Sequence, residues 1–289
     1  MKDKIFQKNV LLKNYTTYKI GGPAKYFLIV KNKEDLIEAT KLAKELKLPV
    51  FILGGGSNVL VLDKGFNGLV IKMENSKIDF SGQNSVYVEA GVNSAKLVKF
   101  TIDNSLSGVE WFAGIPGTVG GAIYGNAQAF GVKISDSVKT VEALDLKKGK
   151  IVNLSNKQCK FSLKNSIFKR NKNLIIISAV LKLKKTKKED IEAKVKEHIS
   201  YRKKWHPIKF PSAGSVFVNP KITASSLIEN CGLKGKKIGK AQISLQHANF
   251  IVNLGGAKAK DVLALIKLAK QKVKKTFNIN LEQEVQQLG

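Results

Sequence analysis

Apolar positions along the chain fall into two spacings, one suited to strands and one to helices. Tyr26 to Val30 is a continuous apolar run that predicts a strand. Asn32 ahead of Glu34 and Asp35 then predicts a capped helix start, with acidic groups at the positive end of the helix dipole. Leu36, Ile37, Ala39, Ala43 and Leu46 are expected on its inner face, and Pro49 closes it before the strand VFIL at 50–53. That strand runs directly into GGGSN at 54–58. A glycine turn at the carboxyl end of a strand is where phosphate-bearing ligands bind in open α/β arrangements.

The same reading gives a strand over 81–90 and a short helix over 91–104, with Leu97, Val98 and Ile102 inward. Strands follow at about 138–146, 151–154 and 174–183, and Ile191, Val195 and Ile199 mark one face of a charged connecting helix over 186–201. A helix over 224–231 stops at Gly232, FIVN at 250–253 reads as a strand, and Val262, Ile266, Ala269, Val273 and Phe277 line a last helix over 258–277. Between these elements lie GVEWFAGIPGTVGGAIYGNAQAFG at 108–131 and PSAGSVFVNP at 211–220. The first is rich in glycine yet holds Trp111, Phe112 and Ile115, so it is expected to be an ordered loop around a ligand.

Composition narrows the function classes. With 289 residues and 43% hydrophobic content the chain can form two or three units. It has no run of about 20 apolar residues that could span a membrane. MKDKIFQKNVLL at the start does not read as an export leader, and a cytoplasmic location is expected. Cys159 and Cys231 stand in unrelated contexts and no histidine pair has metal-ligand spacing, so neither a disulfide scaffold nor a metal is expected. The formal charge is +28, but only Arg170 and Arg202 are arginines. Base-edge and bidentate phosphate recognition favours arginine, so most lysines read as a solvated shell or a compositional habit, and nucleic acid is not expected as the main partner, although a positive field also attracts nucleotides, diphosphates and carboxylates.

The candidate chemistry begins with the glycine loops. GGGSN lets main chain approach a diphosphate closely, although it is neither GxGxxG nor a Walker loop. GIPGTVGG at 114–121 adds a second such surface, with Thr118 offering a hydroxyl. Two such loops suggest a long cofactor held at several points. Ser215, read from its neighbours alone, suits either a turn or a proton donor, and His247 in LQHANFIVN suits either a structural or a catalytic role.

Together, TTYKIGGPA at 16–24, LGGGSNVLVLDKGFNGLVI at 53–71, GIPGTVGGAIYGNAQAFG, PSAGSVFVNP and LEQEV at 281–285 resemble the UDP-N-acetylenolpyruvoylglucosamine reductase (UDP-N-acetylmuramate dehydrogenase, MurB) family over nearly the whole chain. The absence of an extra loop ahead of the serine motif suggests its shorter type II form. The resemblance implies an α+β fold: a two-part FAD-binding region of the vanillyl-alcohol-oxidase (PCMH) type over 1–186, divided near 73, then an α+β substrate domain over 187–289 with its connecting helix. It implies an NADPH-dependent flavoenzyme that reduces the enolpyruvyl group of UDP-N-acetylglucosamine enolpyruvate to the lactyl ether, giving UDP-N-acetylmuramate for peptidoglycan precursor synthesis. A monomer is expected. The alternatives are a sugar or lactone oxidase of the same architecture and, more remotely, a basic nucleic-acid-binding protein.

Carried onto this chain, the resemblance places FAD against Gly54, Gly55, Gly56, Ser57 and Asn58, against Gly114, Ile115, Gly117, Thr118, Gly120 and Gly121, and near Asn126 and Ala127. Ser215 becomes the proton donor and Glu284 the residue that stabilises and orients the enolate. Lys164 stands where the family has an arginine for the substrate carboxylate, which keeps the charge and loses the planar fork. Asn219, Glu229 and His247 are the expected substrate contacts. Leu163 and Val218 replace a tyrosine and a lysine common in the family, removing two polar groups expected near the nucleotide.

Overall fold

Asn32 opens the first helix as its sequence implies: in this computed structural model its side chain accepts the Asp35 N–H at 2.8 Å, and the helix runs Lys33–Glu45. The structure describes residues 6–219 and 222–289. The buried stripe of this helix is Leu36, Ala39, Thr40, Leu42 and Ala43, whereas Ile37 and Leu46 are 36% and 40% exposed. Thr40 can turn inward because its hydroxyl donates to the Leu36 and Ile37 carbonyls at 2.9 and 3.0 Å, so burial strands no polar group.

Packing divides the chain into two discontinuous units. The first takes the chain up to Phe27, then Gly56–Val70 and Tyr201–Gly289; the second takes Leu28–Gly55 and Ile71–Ser200. Within the second, a five-stranded antiparallel sheet has the order Lys150–Ser155, Val138–Asp145, Leu174–Lys182, Ser85–Glu89, Ile78–Phe80. The central place of LIIISAVLK follows from its nearly continuous apolar run, which needs both faces covered. Helix Ser94–Asp103 is capped by Asn93, whose side chain accepts the Lys96 N–H at 2.8 Å.

The segment 108–131 is ordered, and it contains a helix, Val119–Gly125, that the glycine content concealed. Gly120 explains the glycine there: a Cβ would come 2.8 Å from the Ala90 Cβ, so its lack of a side chain lets helix and strand approach. A further short helix, Ile167–Arg170, is capped by Ser166 just after Lys164.

Within the first unit a four-stranded sheet runs in the order Ser212–Ser215, Phe250–Asn253, Ala241–Ile243, Lys237–Ile238. Helix Ala259–Phe277 packs on it, and Tyr18, Val216, Phe217, Ile228, Leu265 and Val273 share one core. The Tyr18 hydroxyl donates to the Ile251 carbonyl at 2.8 Å, which lets a tyrosine sit fully buried, and burial raises its pKa so that it stays protonated. Asp63 accepts the Ala259 and Lys260 N–H groups at 2.9 and 3.1 Å. It thus neutralises the start of the last helix from a distant part of the chain.

Candidate active site

The serine segment owes its shape to one glycine. Ser212 pairs with Val252 and Ser215 with Phe250, so three steps along one strand oppose two along the other. The extra residue makes a bulge, and Gly214 carries it at φ +74 with open space where a Cβ would stand. Gly214 is therefore required for its backbone, and the bulge sets the direction of Ser215. Beyond the bulge, Val216, Phe217 and Val218 anchor the chain by burial.

The same strand then meets the chain's last segment. Val218 N–H donates to the Glu282 carbonyl at 2.9 Å, Phe217 bridges Gln283, and Glu284 N–H donates to the Val216 carbonyl at 2.8 Å. The Asn58 Nδ2 donates to the Glu284 carbonyl at 3.3 Å, and the Gln286 N–H donates to the Asn58 carbonyl at 3.0 Å. Ser215, Glu284 and Asn58, spread over more than two hundred residues, thus share one backbone ladder within the first unit. The Asn58 Oδ1 is buried and accepts no hydrogen bond, which leaves an acceptor for a bound donor.

In the second unit the two glycine loops touch. A Cβ on Gly54 would lie 2.5 Å from the Thr118 Oγ1, and one on Gly55 would lie 2.6 Å from the Gly117 Cα. The Lys72 Nζ donates to the Gly54 carbonyl at 2.8 Å, and burial lowers its pKa while Glu74 opposes that shift. Lys72 was not legible as a site residue, because a lone lysine in a buried strand reads as an end snorkelling to solvent. Main chain stripped of side chains, with an ammonium group beside it, is a surface that fits an anionic cofactor.

Other residues of these loops act through structure. Thr118 Oγ1 accepts the Gly121 N–H at 3.3 Å as a helix cap. Gly114 and Gly117 occupy positive φ, 73 and 152. Asn126 ends the helix in left-handed conformation, accepts the Ser135 N–H and donates to the Ser162 carbonyl, and Ala127 N–H donates to the Ala122 carbonyl. Ser57 and Ile115 are half-buried.

Lys164 belongs to the second unit, whereas Ser215 and Glu284 belong to the first. It is half-buried at φ 52 in the turn bridged by Ser162 and Asn165, and its carbonyl accepts from the Lys169 Nζ at 2.9 Å. Asn219 is exposed, and its Oδ1 accepts the Ala224 N–H at 3.0 Å; Pro220, the end of its motif, lies outside the described residues. Glu229 pairs with Lys234 at 2.7 Å.

His247 accepts the Asn249 N–H through Nδ1 at 3.2 Å, which requires that nitrogen to be unprotonated. Burial lowers its pKa, Lys234 adds to this and Glu229 opposes it. His206 packs edge-on against it at 5.7 Å. Burial, then Arg202 and His247, push His206 down to about 4 from 6.5. Between those values the unfolded chain binds the extra proton, so the stability due to His206 is full above about pH 6.5 and is lost as pH falls toward about 4. Melting temperatures measured from pH 7 downward should therefore fall more steeply for the wild type than for a His206→Asn variant; equal slopes would remove this contribution.

Asn249 was not legible in the sequence because an asparagine in the turn before a strand carries no periodic signal. Its Oδ1 accepts the Phe217 N–H at 2.9 Å and its Nδ2 donates to the Phe217 carbonyl at 2.8 Å.

Known proteins resemble this chain over nearly its whole length. Residues 24–155 match an FAD binding domain, and residues 206–288 match the C-terminal domain of UDP-N-acetylenolpyruvoylglucosamine reductase. The chain is 37% identical to the UDP-N-acetylenolpyruvoylglucosamine reductase of Clostridium novyi, over 98% of this chain and 92% of that one. It is 42% identical to that of Caldicellulosiruptor bescii, over 98% and 91%. The crystal structure of the Thermus caldophilus reductase (MurB) is similar at a TM-score of 0.85 and 36% identity, covering 98% of this chain and 100% of that one. With an α+β fold, an FAD-binding region and a reductase C-terminal domain in one continuous match, the chain belongs to the UDP-N-acetylenolpyruvoylglucosamine reductase family.

Proposed function

We propose that this protein reduces UDP-N-acetylglucosamine enolpyruvate to UDP-N-acetylmuramate, with NADPH as the source of hydride, as a cytoplasmic monomer serving peptidoglycan synthesis. The observation that carries the reading is the bulged Ser215 strand stitched to the Glu284 segment, beside the family match. The abutting Gly54–Gly55 and Gly117–Thr118 surfaces would hold the FAD diphosphate, with Gly56, Ser57, Gly114, Ile115, Gly120 and Gly121 shaping the loops and the free Asn58 Oδ1 offering a further contact. A flavin held there would supply hydride chemistry, linking NADPH to the enolpyruvyl carbon β to the carboxylate.

The chain's own groups complete the reaction. Addition of hydride leaves an electron pair on the α carbon, delocalised into the carboxylate, and Ser215 gives its hydroxyl proton to that carbon. A serine can do this because the acceptor is strongly basic and the bulge fixes the hydroxyl. Glu284 stabilises and orients the reacting enolate. Lys164 binds the substrate carboxylate. Asn219, through the Nδ2 that Ala224 leaves available, and Glu229 and His247 contact the remainder of the substrate.

Anaerobic absorption spectroscopy tests the reading: the visible flavin band should bleach with NADPH and return on adding the enolpyruvyl sugar nucleotide. A band that bleaches but does not return would reject the substrate. Lys164→Ala should raise KM for the sugar nucleotide about 10- to 150-fold, as expected for loss of one charge-assisted hydrogen bond worth about 1.5–3 kcal/mol. Unchanged steady-state kinetics in that variant would exclude the role.

A further inference from the structure

We infer that Asn249 is a positioning residue that holds the proton-delivering strand, and through it Ser215 and Glu284, in register; the inference rests on the reaction proposed above. Asn249 is 1% exposed; its N–H donates to the His247 Nδ1, and its carboxamide and carbonyl meet the two residues just past the bulge, Phe217 and Val216. Its side chain both accepts from and donates to Phe217, and its carbonyl accepts the Val216 N–H at 2.8 Å. The Val216 carbonyl in turn accepts the Glu284 N–H, and Phe217 bridges Gln283.

Strand pairing of Ser212–Ser215 with Phe250–Asn253 ends at Ser215 opposite Phe250. Immediately beyond that point the carboxamide of Asn249 supplies the paired donor and acceptor that a neighbouring backbone would otherwise supply. It thereby fixes the residues just past the bulge, and a shift there would move the Ser215 hydroxyl and the Glu284 main chain together. Aspartate at this position can accept the Phe217 N–H but cannot, when ionised, donate to its carbonyl, so two oxygens would face each other in a buried place.

Asn253, at the far end of the Phe250–Asn253 strand that Asn249 precedes, provides a matched control. It is 3% exposed, its Nδ2 donates to the Tyr18 carbonyl at 3.0 Å, and its Oδ1 accepts the Gly255 and Ala257 N–H groups at 2.9 and 3.0 Å. The experiment measures, in flavin-loaded wild type, Asn249→Asp and Asn253→Asp, the rate of flavin reduction by NADPH and the rate of reoxidation by the enolpyruvyl sugar nucleotide, in H2O and D2O.

Asn249→Asp should reduce normally and reoxidise on the order of 100-fold more slowly, the loss expected for a reacting group displaced by about 1 Å. Its solvent isotope effect on reoxidation should rise, because protonation becomes limiting. Asn253→Asp should lower the melting temperature and leave that isotope effect at the wild-type value. If Asn249→Asp keeps the wild-type reoxidation rate and isotope effect, or if Asn253→Asp raises the isotope effect equally, the positioning role is overturned. Should Asn249→Asp fail to fold, Asn249→Gln, which keeps both polar groups one methylene displaced, is judged by the same isotope effect. A wild type that NADPH reduces and the sugar nucleotide does not reoxidise would instead bring down the reductase reading.

Discussion

Replacing Ser215 with alanine should lower turnover by about 10²–10⁴-fold, the usual worth of a positioned acid, while NADPH still reduces the flavin at the wild-type rate. The bulge at Gly214 and the buried run Val216, Phe217 and Val218 are set by main chain and apolar packing, so alanine leaves the scaffold intact. What disappears is the proton source. Stopped-flow measurement of the two half-reactions separates these effects, and NADPH reduction serves as the internal control for folding and flavin binding. A Ser215→Ala enzyme that reoxidises its flavin at the wild-type rate would assign the proton to another group and return Ser215 to the role of a turn residue.

Gly55→Ala should weaken FAD retention by about 10- to 100-fold. The added Cβ would stand 2.6 Å from the Gly117 Cα and 3.1 Å from its carbonyl carbon, and both contacts are backbone. One loop must therefore move, and such overpacking costs about 1–3 kcal/mol, where each 1.4 kcal/mol is tenfold in affinity. Gly125→Ala is the matched comparison, since nothing lies within 4 Å of its Cβ position and its φ is not positive. The ratio of flavin to protein absorbance after gel filtration reads the outcome. Equal flavin content in the two variants would mean that the contact of the loops is not what holds the cofactor.

Local chemistry was legible in the sequence, and the contacts between distant segments were legible only through the resemblance. Asn32 as a cap, Pro49 before VFIL and Gly232 after a helix are decided by neighbours, and the elements they bound stand at 33–45, 50–53 and 224–230. The inward face of the first helix was legible in part. Ile37, apolar in sequence, stands partly exposed, whereas Thr40 is buried because a backbone carbonyl one turn away accepts its hydroxyl at little cost.

Glycine was the harder residue to read, because one residue type serves three purposes. Gly55 clears space for Gly117, Gly120 clears space for Ala90, and Gly214 clears nothing and supplies a backbone angle. Sequence spacing cannot separate those uses. Nor could it find Asn249 or Lys72, whose roles exist only once other segments arrive beside them.

The discontinuous first unit also orders events during synthesis. Its sheet, the Ser215 strand and the Glu284 ladder all lie beyond residue 200, while Asn58, Tyr18 and Asp63 lie before residue 71. At about 5–20 residues per second the ribosome needs several seconds to make the intervening stretch. By the end of that time the second unit has every strand of its five-stranded sheet, whereas early segments of the first carry apolar side chains such as Leu60 and Ile20 with no core to enter. The nascent chain thus passes through a stage with a finished half and an adhesive half. Chaperone demand should peak there, and the ladder that joins the Ser215 and Glu284 segments is among the last parts of the molecule to form.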